Sequence, residues 1–110
     1  MAFKSAVVVM APDGDPNKHR ATIKTSKLEL NVAVIEMMNF EQAVKVCQDL
    51  VQKQGVQSII LCPGFPHGAV AKIASAVGEK VAITTARGDV PATMLTGEIL
   101  TKEGWLPEGH

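Results

Sequence analysis

A cysteine that ends an apolar run, with a histidine five residues on, is the pair in this chain best suited to chemistry. Cys62 closes Ser58-Ile59-Ile60-Leu61-Cys62, and Pro63-Gly64-Phe65-Pro66-His67-Gly68 follows. A thiol near a helix N-terminus has its pKa lowered by the helix dipole and by nearby N–H groups. Cys62 would then act as a nucleophile, with His67 as its base or charge partner. The plainer account makes Cys62 a small buried residue at a strand end, since free cysteine is among the most buried residue types. Glu36 follows another apolar strand and is a candidate general base. Its commoner role would be a solvated loop carboxylate.

The candidate ligand-binding residues are Arg87, Gly64, Phe65, Asp13, His19 and Arg20. Arg87 can clamp a carboxylate or phosphate in bidentate fashion. It can equally form a structural ion pair with Asp89 or Glu36. Lys18, His19 and Arg20 form a small basic cluster able to reach over the strand ends and hold an anion, although such clusters are more often simply solvated. No metal is expected. Asp13-Gly14-Asp15-Pro16-Asn17 begins like a calcium loop, but Lys18 and Lys24 stand where Gly and Glu are required. Two cysteines and three histidines lack zinc-site spacing. The Gly64–Gly68 turn has neither the spacing of a dinucleotide fingerprint nor the ending of a phosphate-binding P-loop. Pro63 moreover has no N–H to give to a phosphate nest. No cofactor is expected.

The elements that must hold these groups are readable in order. Phe3 to Met10 is a continuous β-branched run, which predicts a strand covered on both faces. Asp15-Pro16 resembles a helix start, so Pro16 to Lys24 reads as a short, loosely attached helix or an irregular excursion. Lys27 to Ile35 alternates. Leu28, Leu30, Val32 and Val34 share one side and Glu29, Asn31 and Ala33 the other, which predicts a half-buried strand at a sheet edge. Asn39 caps a helix over Phe40 to Lys53, with Gln42 at the reciprocal capping-box position and Gly55 as terminator. Its apolar stripe is Phe40, Ala43, Val44, Cys47, Leu50 and Val51. A strand over Gln57 to Cys62, a helix over Gly68 to Val77 and a strand over Val81 to Thr85 follow. Asp89 to Leu100 reads either as a helix with Gly97 inside it or as a hairpin turning at Thr96-Gly97. The helix is marginally favoured. Trp105 to His110 reads as an irregular tail.

Strands separated by helices imply right-handed crossovers and a parallel sheet. The expected fold is a single α/β domain, a small three-layer sandwich with a mainly parallel four-stranded sheet and helices on both faces. The carboxyl ends of parallel strands share one edge, where ligands of such folds bind. That edge would gather Asp13 and Asp15, Glu36, Cys62 and His67, and Thr85, Arg87 and Asp89.

Asp15, Pro16, Lys18, His19 and Arg20, the helix from Asn39, the Cys62–Phe65 turn and the strand leading to Arg87 together resemble a family of small prokaryotic α/β proteins of unknown function. The resemblance covers most of residues 1 to 90. It implies the fold and no activity.

Eleven basic and eleven acidic residues among 110 cancel, which argues against a nucleic-acid or anionic-membrane partner. Two cysteines make no disulfide framework, and the N-terminal apolar run is too short for a signal segment or a membrane span. A cytoplasmic location is expected. Three functional readings result. The first is a protein binding a small anionic molecule, a carboxylate or a phosphate, at the carboxyl edge around Cys62–His67 and Arg87. The second is a small enzyme using Cys62 or Glu36 at that edge. The third is an assembly protein. A homo-oligomer, a dimer in the simplest case, suits all three, since a small open sheet has edges to cover.

Overall fold

The computed structural model describes residues 1–106. Its order is β1 (Phe3–Ala11), β2 (Arg20–Lys24), β3 (Leu28–Glu36), α1 (Phe40–Gln54), β4 (Ser58–Leu61), α2 (His67–Val77), β5 (Ala82–Thr85) and α3 (Val90–Lys102). The strands form one sheet in the order β2-β3-β1-β4-β5. β3, β1, β4 and β5 run parallel, and β2 lies antiparallel to β3. The sheet is therefore mixed and five-stranded, not four-stranded.

The added strand comes from the segment read as a helix or excursion. Asp15 starts only a single turn: its carbonyl accepts from Lys18 and His19 N–H, and its side chain accepts from Asn17 N–H. From Arg20 the chain is extended. Thr25 then closes a hairpin, its Oγ1 accepting from Leu28 N–H at 2.9 Å. β2 is exposed along its whole length, so it has no apolar periodicity for a sequence reading to detect. It takes the sheet edge and moves β3 inside. Arg20 and Lys24 on this edge strand discourage pairing with a further chain.

The crossovers β3-α1-β4 and β4-α2-β5 advance in the same direction across the sheet. Right-handed connections therefore put α1 and α2 on one face. Ala6, Val8, Ala33, Ile35, Ile59 and Leu61 from the strands pack there with Ala43, Cys47 and Leu50 of α1 and Ala69 and Ile73 of α2. On β3 the covered side is Asn31, Ala33 and Ile35, while Leu28, Leu30, Val32 and Val34 are only half-buried on the other. Asn31 is accommodated in the core by bonding. Its Nδ2 donates to Ser5 O at 3.4 Å, and its Oδ1 accepts from Thr22 Oγ1 at 2.9 Å.

No helix among the described residues covers the second face, so the expected three-layer sandwich is instead a two-layer one. α3 is a helix, as marginally favoured, but none of its residues is buried. The molecule is elongated, 47 × 28 × 27 Å. Its radius of gyration of 14.5 Å exceeds the roughly 13 Å usual for this length.

α1 begins as expected, with Asn39 Oδ1 accepting from Gln42 N–H at 3.1 Å. The reciprocal bond differs: Gln42 Oε1 accepts from Glu36 N–H at 2.7 Å. Gly55 ends α1 in the left-handed region, φ 71°, and its N–H bonds to the carbonyls of Leu50 and Val51. Cys47 lies in the core, as expected from its place on the α1 stripe.

Of the C-terminal tail, the described part turns back at Trp105, whose N–H donates to Leu100 O. The tail beyond residue 106 lies outside the described residues.

Candidate functional site at the carboxyl edge

β1 and β4 are neighbours, yet the chain leaves them in opposite directions. After β1 it runs to the β2 edge, and after β4 it runs to the β5 edge. In open α/β sheets such a reversal is where a crevice lies between the two outgoing loops, which here are residues 11–15 and 62–67.

One wall is held by close packing. Gly14 N–H donates to Ala11 O, and a Cβ placed on Gly14 would lie 2.0 Å from the carbonyl oxygen of Ile35. The other wall is the turn after β4. Cys62 N–H donates to Val8 O, and Cys62 O accepts from Phe65 N–H. Phe65 is buried against Phe40, with ring centroids 5.7 Å apart. Its ring is therefore core, and what it can offer a ligand is backbone. Gly64 lies where a Cβ would sit 3.7 Å from both Cys62 Sγ and the Met10 methyl. The half-buried thiol, the Met10 thioether and the bare Gly64 backbone thus meet in the crevice.

His67 is exposed as the first residue of α2. α2 has no side-chain cap and no acidic residue in its first turn, so the first amides have no anionic partner within the helix. Cys62 and His67 form no hydrogen bond with each other among the described residues. Arg87 lies at the end of β5, and Gly88 beside it packs near Pro63, 3.4 Å from Pro63 Cβ to a Cβ built on the glycine. Arg87 Nε donates to Asp89 Oδ1 at 2.7 Å with both side chains exposed, the structural pairing weighed for it.

The remaining candidates lie around this crevice without joining it. Glu36 Oε1 accepts from Asn39 Nδ2 at 3.0 Å, which ties its carboxylate to the start of α1. Asp13 is exposed in the 11–15 turn. His19 Nδ1 accepts from Asp15 N–H at 3.0 Å. Arg20 Nε donates to Pro16 O at 2.7 Å, and Arg20 Nη2 stands 3.8 Å from Asp49. Arg20 lines a separate open cleft of about 480 Å³ with Asn39, Gln42, Lys45 and Asp49. The structure therefore splits the predicted set. Cys62 and Gly64 meet Met10 between β1 and β4, His67 and Asp13 are exposed on the loops that leave those two strands, Arg87 follows β5, and His19 and Arg20 belong to the β2 side.

Met10 and Lys45 went unnoticed in the sequence. Met10 could have been found only by knowing that β1 and β4 are adjacent. Lys45 could have been found only by knowing that α1 faces the loop before β2.

Neither the curated proteins nor the solved structures include a match to the chain. A family model described as a family of unknown function, DUF6506, matches residues 3–98. That span takes in every strand, both core helices and the whole crevice, and the chain belongs to the DUF6506 family.

Proposed function

We propose that this protein binds a small anionic molecule, a carboxylate or a phosphate, in the crevice between residues 11–15 and 62–67. The observation that carries this reading is the reversal of chain direction between the adjacent strands β1 and β4. The uncapped first turn of α2 supplies the preference for an anion, and partial positive charge at a helix start favours one. Arg87 joins by exchanging Asp89 for the ligand. Both partners are exposed, so the pair is weakly held. A cytoplasmic setting belongs to the same reading, because both cysteines are free and Cys62 stays reduced there.

Thermal unfolding with inorganic phosphate and with oxalate tests the reading, because a ligand of the native state raises Tm by mass action. The Tm rise is expected in the parent and in His67→Ala, which keeps the amide. It is expected to fall by at least half in His67→Pro, which removes the amide at a position where proline suits a helix. Equal shifts in all three proteins, or none, would contradict it.

The half-buried Cys62 thiol at this edge favours a second reading, in which the anionic substrate carries a leaving group that the Cys62 thiolate displaces. Iodoacetamide at neutral pH should then label Cys62 at least tenfold faster than thiols in the unfolded chain. Labelling slower than in the unfolded chain would remove the nucleophile.

A further inference from the structure

Among the described residues two apolar surfaces lack partners, and each is what the other requires. The first is the second face of the sheet. Register places Ala21 and Ile23 of β2, Leu28, Leu30, Val32 and Val34 of β3, Phe3, Ser5, Val7 and Val9 of β1, Ser58 and Ile60 of β4, and Ala82 and Thr84 of β5 on that one side. The same register puts Glu36 at the carboxyl end of this side, its carboxylate bonded to Asn39, and no other strand residue there is charged. Phe3 is 51% exposed, Ile23 58% and Ile60 37%. A sheet buries an apolar face against another layer, and exposed apolar patches of this extent mark interaction sites.

The second surface is α3. Its sequence, Val90-Pro91-Ala92-Thr93-Met94-Leu95-Thr96-Gly97-Glu98-Ile99-Leu100-Thr101-Lys102, contains only two charged residues. At 100° per residue, Val90 and Met94 lie on one side and Leu95 and Ile99 on nearly the opposite one. A helix that is apolar on most sides is normally buried. Here Val90, Met94, Leu95 and Ile99 are all exposed. α3 begins beside Pro63 at the carboxyl edge and packs on neither face of its own sheet.

We infer that the protein forms a two-fold dimer by reciprocal exchange, in which α3 of each chain lies on the open sheet face of the other. An isologous arrangement matches both unpartnered surfaces at once and closes without leaving a sticky remainder. The area suffices. Strands about 4.8 Å apart give an open face on the order of 400 Å². A 13-residue helix adds on the order of 200 Å² of flat area. Side-chain relief raises the accessible area toward the roughly 800 Å² per partner of stable interfaces. The side of α3 turned away from the partner's sheet then meets the symmetry-related α3, which accounts for a helix without a polar face. This dimer is independent of the anion site, whose crevice opens at the strand ends and not on the open face.

Sedimentation of the full chain tests it. A species of about 23 kDa, twice 11.7 kDa, is expected at micromolar concentration. Met94→Glu/Leu95→Glu and Ile60→Lys should each raise the dissociation constant at least 100-fold. Mixing the two variants should restore a 1:1 dimer, because one helix–sheet seam is intact and the other sets an introduced carboxylate against an introduced ammonium. All three positions are exposed in the protomer, and circular dichroism checks that the variants fold. A readout on the unaltered chain needs no variant: dilution should red-shift the emission of Trp105, the only tryptophan, as the dimer separates. A wild-type monomer at 100 μM would overturn the proposal, the outcome expected if α3 folds onto its own sheet. A dimer indifferent to Met94→Glu/Leu95→Glu would also overturn it, since the two sheets would then stack directly.

Discussion

Gly14→Ala is expected to destabilise the protein by about 3 kcal/mol or more, near the top of the overpacking range. The new methyl would lie 2.0 Å from the Ile35 carbonyl oxygen and 2.6 Å from its carbon. Both atoms are backbone at the end of β3, so no side chain can rotate away. Either the 11–15 turn or the β3 terminus must move, and both border the candidate site. Gly68→Ala is the matched control. Nothing lies within 4 Å of a Cβ there, and alanine in a helix is favoured over glycine by up to about 1 kcal/mol. Urea denaturation should therefore separate the two variants by more than 3 kcal/mol. A Gly14→Ala protein within 0.5 kcal/mol of the parent would contradict the close seating of this turn.

Alkaline pH is expected to cost the protein stability through Cys47. Burial pushes this thiol up from 9.0 to about 12. In the unfolded chain the thiol ionises above pH 9, while in the folded chain it holds its proton. The unfolded state thus binds fewer protons over this interval, and stability falls as pH rises from 9 to 12. The contribution is fully present below pH 9. Its loss is on the order of 1 kcal/mol by pH 10 and several-fold larger by pH 12. Cys47→Ala should lower stability at pH 7, because it leaves a small cavity in the core, yet show a flatter decline above pH 9. Parallel declines in the two proteins would show that Cys47 is not the titrating group.

Elements with strong local signals were legible in the sequence. The Asn39 cap, the α1 stripe and Gly55 placed the first helix, and the apolar run into Cys62 followed by a Gly/Pro turn placed the strand end where the crevice lies. The misses share one physical cause, which is that period two shows which residues share a face but not which face a helix covers. On β3 the larger side chains, Leu28 to Val34, suggested the covered side. The core instead takes the small Ala33 with Ile35 and a bonded Asn31, because α1 packs closely there. β2 was invisible because an exposed edge strand needs no apolar alternation. The expectation of helices on both faces assumed that every apolar sheet face is covered within one chain, and here α3 stands apart.

The site was legible as an edge and not as an arrangement. Placing Cys62 and Gly64 beside Met10 requires β1 next to β4, and strand order depends on contacts remote in sequence. Glu36 looked free as the residue after a strand, yet its backbone and carboxylate both serve the start of α1. The separation of Arg20 from Arg87 has the same origin, since β2 and β5 occupy opposite edges of the sheet.

Amide chemical shifts followed during titration with inorganic phosphate test the anion site most directly. Saturable shifts are expected at residues 11–15 and at residues 64, 65 and 67–69, with smaller ones at Arg87 and Gly88. Shifts confined to the Arg20–Lys45 cleft, or no saturable shift anywhere with either phosphate or oxalate, would contradict an anion site in the β1–β4 crevice.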